Sequence, residues 1–163
     1  MTLADIAPRT RVFIDANTLI YHFAPHPVLQ VPCRKFLERV YQNDVSGFTS
    51  THVLSNVAHR LMTLEAMAVL GWPAAGVVYR LQRQSAQIQR LTAFRQSVER
   101  IPALGIEVFP VAQDHVLAAV EISQQYGLAW IDADGDSGNN AVNVRLEYQR
   151  PQPHTVDAKQ ESN

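Results

Sequence analysis

One cysteine, Cys33, stands in 163 residues, so no intramolecular disulfide framework exists and the chain suits a reducing compartment. Within "VPCRKF" it reads as a small buried hydrophobe on a helix. Net charge is also lacking: 14 Lys and Arg against 15 Asp and Glu leave −1. There is no overall pull towards nucleic acid or an anionic membrane, and any such contact must come from a local patch. No apolar run reaches the ~18 residues that span a bilayer. The opening "MTLADIAPRTRVF" puts an acidic residue and a proline where a secretion signal needs its apolar core. These absences predict a cytoplasmic protein. Gly-rich phosphate loops, the His-Glu-x-x-His spacing of a zinc site, a Ser/His/Asp order and internal repeats are missing as well.

Hydrophobic residues make up 47% of the chain and charged ones 18%, the balance of an ordinary globular protein with a real core. Arg11-Val-Phe-Ile-Asp15 is a short apolar run ending in a carboxylate and predicts a buried strand. Asn17 is placed to cap a short helix through Phe23, and Pro25 and Pro27 mark a turn. Val28, Val31, Phe36, Leu37, Val40 and Tyr41 recur at helical spacing. A brief strand is expected at Gly47–Thr49, then a helix capped by Ser50 or Thr51 and running to Leu70. Gly71-Trp72-Pro73 should end that helix and start the next, with Ala74 to Arg100 mostly helical in two pieces. Ile106–Val111 reads as a strand, and Gln113 to Tyr126 as a helix stopped by Gly127. Strands alternating with helices predict an α/β fold around a small parallel sheet.

Asp15 falls where the first strand delivers its carboxyl end into a helix, the edge at which ligands gather in parallel sheets. Spacing alone leaves two roles open for it, ligand or helix cap. "VFIDANTLIYHF", then "GFTSTHVLSNVAHRLMTLEA", the helix "AAVEISQQYGL" and the Asp132-Ala133 pair form an ordered set. Together, over roughly residues 10 to 133, that set resembles the PIN-domain family, particularly toxin ribonucleases of the VapC type.

The resemblance implies a three-layer sandwich whose sheet edge carries three or four acidic side chains holding Mg²⁺ or Mn²⁺ for RNA cleavage. Such hard cations take oxygen ligands. Carried over by motif, Asp15 matches the first metal-binding aspartate and Asp132 the later one. Asn56, in "VLSNVAHRL", stands where the family usually has glutamate. An asparagine carbonyl can touch a metal but brings no charge and cannot act as a base. Ser50 or Thr51 would orient the ligands. The family's late acidic stretch is absent here; Asp157, in "HTVDAKQ", is a poor substitute. Two carboxylates should hold metal weakly, which implies an impaired copy. Relatives are toxins restrained by a cognate antitoxin and commonly form homodimers, so both partners are implied beside an RNA substrate. A non-catalytic remnant that binds antitoxin or a sister toxin is the alternative.

After Asp132 the pattern changes. In "WIDADGDSGNNAVN", Asp132, Asp134 and Asp136 match positions 1, 3 and 5 of a calcium loop. Ser137 and Asn143 then occupy positions where that loop needs glycine and glutamate, so a solvated acidic loop is the better reading. The family continues instead with an apolar helix. Among the codons permitted for Asp136 to Ala141, some read one nucleotide later can spell Ile-Val-Ala-Thr-Met, as a frameshift after Asp132 would allow. The expected organisation is a PIN-like domain at 1–133, an atypical segment at 134–149 and a disordered tail at 150–163. Loss of the apolar helix would leave sheet surface wet at roughly 25 cal/mol per Å².

Other residues read more plainly. His52 and His59 are expected as surface or half-buried polar groups on one helix face. Arg80, Arg83, Arg90, Arg95 and Arg100 make the helical middle basic, which suits solvated helix faces as well as an RNA track. Trp72, Tyr79 and Phe94 read as core or interface.

Overall fold

The computed structural model describes residues 3–126. Three strands are described: β1 (Arg11–Phe13), β2 (Ser46–Ser50) and β3 (Glu107–Phe109), parallel and in the order β1-β2-β3. Phe13 pairs with Phe48, and Ser50 with Phe109. Ile14 extends the first ladder by donating its N–H to Phe48 O at 2.7 Å. Between β1 and β2 run α1 (Ala16–Phe23) and α2 (Gln30–Tyr41). Between β2 and β3 run α3 (Thr51–Leu70), α4 (Val77–Arg83), α5 (Ser85–Ile88) and α6 (Ala93–Arg100). After β3 comes α7 (Gln113–Tyr126). This is the small parallel sheet with flanking helices that the alternation of elements predicts.

Strand side chains alternate between the two faces of the sheet. Val12, Ile14, Gly47 and Thr49 are buried on one face and join a core with Leu19 and Ile20 of α1, Leu37 and Val40 of α2, and Val53 and Val57 of α3. The other face carries a row of half-buried rings, Phe13, Phe48 and Phe109, with centroids 5.5 and 5.9 Å apart in edge-to-face contact. Arg11 lies over Phe48 at 4.7 Å and pairs with Glu107 at 3.2 Å. A smaller core of Ala66, Val77, Leu81 and Leu91 joins the far end of α3 to α4 and the chain beyond α5.

Two polar contacts set the helices. Arg39 of α2 binds Asp44 at 2.6 Å and donates to Ile6 O at 2.7 Å, fixing the N-terminal segment to the helix. Glu65 of α3 accepts the backbone N–H groups of Thr92, Ala93 and Phe94 at 2.9, 3.0 and 2.8 Å. It thereby caps α6, whose own N-cap residue makes no side-chain cap. A carboxylate at this helix end also meets the positive pole of the helix dipole.

Several sequence readings need correction. Asn17 lies inside α1; Asp15 takes the N-cap position, because the strand conformation persists one residue further than the polar Asn suggests. On α2 only Phe36, Leu37 and Val40 of the six periodic residues are buried. Val28, Val31 and Tyr41 are exposed, since the helix begins at Gln30 and buries Cys33 instead of its neighbours. Burial raises the Cys33 thiol to about 11, which keeps it protonated and inert. Gly71 ends α3 in the left-handed conformation, as expected, but α4 starts at Val77 after Gly76 rather than at Pro73. The basic middle makes three helices, not two. Tyr79 is 55% exposed and outside the core, while Trp72 and Phe94 pack against it. The Gly127 stop, the 134–149 segment, the 150–163 tail and the aspartates at 132, 134, 136 and 157 lie outside the described residues. Among the described residues, no helix is long and apolar enough to cross a membrane.

Candidate metal centre

The carboxyl ends of β1 and β2 meet at the start of α1 and α3. The Ile14 carbonyl, one residue before Asp15, accepts a hydrogen bond from Thr49 Oγ1 at 2.8 Å, and Thr49 is fully buried. That bond fixes the backbone from which the Asp15 side chain departs. Asp15 is extended (φ −76°, ψ 161°) and half-buried. Its carboxylate makes no cap with α1, and it has no hydrogen-bond or ion-pair partner among the described residues. A carboxylate at a helix N-cap normally accepts a backbone N–H. Of the two roles spacing left open, the cap is therefore not the one Asp15 plays.

Ser50 and Thr51 are committed to the backbone. Ser50 Oγ caps α3 by accepting Val53 N–H at 3.3 Å, and Thr51 Oγ1 accepts Val111 N–H at 3.1 Å. Through Thr51 the exit of β3 is tied to the start of α3 at the same sheet edge. Both residues tie the start of α3 into the sheet edge. Asn56, half-buried on α3, touches His52 Nε2 through its Nδ2 at 3.5 Å. The amide's carbonyl end is thus the one left for another contact. His52 and His59 are exposed, as expected of surface polar groups.

Asp15 stands directly before α1 and Asn56 lies on α3, two helices that share the principal core. They offer one carboxylate and one amide carbonyl, both hard oxygen donors of the kind Mg²⁺ or Mn²⁺ takes. The kind fits; the charge is incomplete. No group of three or more His, Cys, Asp or Glu assembles among the described residues. Asp132, the second carboxylate singled out by the sequence, lies outside them.

Thr49 is the residue that sequence reading missed. Its signal was parity: with Gly47 it occupies the inward positions of β2, and a hydroxyl there needs an acceptor.

No curated protein and no solved structure matches the chain. The PIN domain family does, over residues 12–133 of the 163. Its members are generally nucleases that use divalent metal ions. A match over more than half of the sequence, on the α/β frame described above, shows that the chain belongs to the PIN domain family.

Proposed function

We propose that the protein is a metal-dependent endoribonuclease of the VapC toxin type, weakened in this copy by Asn56. The observation that carries the reading is Asp15: a half-buried carboxylate at the carboxyl edge of a parallel sheet, spared from capping and unpaired among the described residues. A carboxylate with no protein partner is free to take a hard cation.

Asp15 and Asp132 would hold Mg²⁺ or Mn²⁺, with the Asn56 carbonyl as a neutral third donor. When bound, such a cation neutralises charge on a phosphate and acidifies water. The remaining tasks fall to the chain itself. Thr49 fixes the Ile14 carbonyl and so aims Asp15, and Ser50 and Thr51 hold the start of α3 from which Asn56 projects. Asn56 adds no negative charge and cannot accept a proton, so two carboxylates carry what the family divides among three or four.

The partners that go with this reading are an RNA substrate, a cognate antitoxin and a second copy of the chain, in the cytoplasm. Asn56 favours one alternative: a non-catalytic protein that docks antitoxin or a sister toxin and leaves RNA intact. A cleavage assay with Mg²⁺ or Mn²⁺ separates them. Weak cleavage abolished by Asp15→Ala and increased by Asn56→Glu supports the nuclease. Complex formation with antitoxin but no cleavage, even in Asn56→Glu, supports the alternative. Robust Asp15-dependent cleavage by the unaltered protein refutes impairment. The family match stops at residue 133, directly after Asp132-Ala133. The reading includes a frameshift after Asp132, and the gene's nucleotide sequence across codons 128–163 decides: absence of an alternative frame that continues the family pattern overturns it.

A further inference from the structure

Between Glu65 and Glu99 the chain has no acidic residue, yet it carries Arg80, Arg83, Arg90 and Arg95. Glu65 is spent on capping α6, and Glu99 is paired with Arg95 at 2.7 Å. Arg80, Arg83 and Arg90 therefore form no ion pair among the described residues. In a protein of net charge −1 this is a marked local excess of positive charge.

Two further features distinguish the region from a solvated helix face. Tyr79 is a large ring more than half exposed, and the Arg83 guanidinium lies over it with its carbon 4.4 Å from the centroid. The segment "RLQRQSAQIQR" intersperses its arginines with glutamines, which bring hydrogen-bonding capacity without repelling an anion.

We propose that the α4–α5 ridge from Tyr79 to Arg90 is a docking surface for single-stranded RNA, Tyr79 and Arg83 stacking on a base while Arg83 and Arg90 take phosphates. The proposal rests on RNA being the substrate, as proposed above. Aromatic–arginine platforms within positive surfaces hold single strands because every base has a π-face. An acidic peptide would use the charges but gain nothing from the stacked pair. The ridge packs on α3 at Ala66, ten residues beyond Asn56, or about 15 Å along the helix axis.

The test is fluorescence anisotropy of a labelled oligouridylate of about 12 nucleotides. It is read in EDTA across a salt series with the full chain, so that cleavage does not enter. The variants are Arg83→Gln/Arg90→Gln and Tyr79→Ala, all at exposed positions. Thermal melts confirm their folding. The double variant should bind roughly tenfold or more weakly, with the slope of log K against log salt reduced by about 1.4. Tyr79→Ala should lose roughly tenfold with its slope unchanged. Unchanged affinity in both variants overturns the ridge and leaves the nuclease reading intact. Poly-glutamate binding at least as tightly as the oligouridylate at equal charge concentration also overturns it, in favour of an acidic protein partner. Conversely, ridge-dependent binding without Mg²⁺-dependent cleavage keeps the ridge and refutes the nuclease.

Discussion

Replacing Gly47 with alanine tests how β2 is fitted between α2 and β1. A Cβ there would meet Ile14 Cδ1 at 2.6 Å and Val40 Cγ1 at 2.7 Å, with Val40 Cγ2 at 3.3 Å. Carbon atoms prefer about 3.5–4.0 Å, so two neighbours must each retreat by close to 1 Å. Ile14 Cδ1 ends a flexible side chain, but Ile14 is 1% exposed and has nowhere open to turn. Val40 is equally buried and stiff at χ1, so its methyl groups move only with the α2 backbone. Overpacking of this kind costs about 1–3 kcal/mol. The alanine returns about 0.5–1 kcal/mol by restricting the unfolded chain. A net loss of about 1 kcal/mol, and at most about 2.5 kcal/mol, should lower Tm by roughly 2–4 °C, and at most about 10 °C, at this chain length. Calorimetry on Gly47→Ala, Val40→Ala and the double variant provides the cycle. Removing the Val40 methyl groups makes room for the new Cβ, so the two losses should be clearly less than additive. A Gly47→Ala protein melting at the native temperature, or strict additivity, would refute this account of the packing.

Other consequences follow from contacts at longer range. Thr49→Val keeps the shape but leaves the buried Ile14 carbonyl without its hydroxyl donor. It should cost about 1–3 kcal/mol by denaturant unfolding, and it should lower any Asp15-dependent activity further than stability alone accounts for. Glu65→Ala uncaps α6 and should destabilise by about 2 kcal/mol, whereas an exposed surface substitution such as Ser85→Ala should be near neutral. His22 packs edge-on to Phe23, and its Nδ1 is buried without a partner. Burial, then the positive charges of Arg34 and Arg100, hold its pKa below the ordinary 6.5. The unfolded chain thus binds this proton more readily. The stability His22 contributes is fully present above pH 6.5 and is lost as pH falls through its lowered folded value. His22→Gln should flatten that part of a stability–pH curve measured by urea unfolding; an unchanged slope would contradict the assignment.

The sequence discloses those features of this protein that short-range pattern controls. Apolar runs marked β1 and β3, a glycine marked the end of α3, and Asp15 stood out because it closes a buried strand at the sheet edge where ligands gather. The faces of α2 were harder to read. Its periodic residues start before the helix does, and neither Val28 nor Tyr41 reveals locally that it lies beyond the reach of the sheet. Contacts that join distant residues left the weakest trace. Glu65 reaching across 27 positions to cap α6, and Thr49 reaching across 35 to hold Ile14, become visible only when the helices and strands are assembled. The same holds for the unpaired state of Asp15. A sequence can place an aspartate at a helix start, but only the fold shows that it declines the cap.

Divalent-metal affinity tests the central claim most directly, through free Mn²⁺ measured by electron paramagnetic resonance during titration of the full chain. The native protein should bind Mn²⁺ weakly, Asp15→Asn should abolish binding, and Asn56→Glu should tighten it roughly tenfold or more by adding a charged ligand. Equal binding by the native and Asp15→Asn proteins, or no gain from Asn56→Glu, would contradict a metal centre built on Asp15 and short of charge at Asn56.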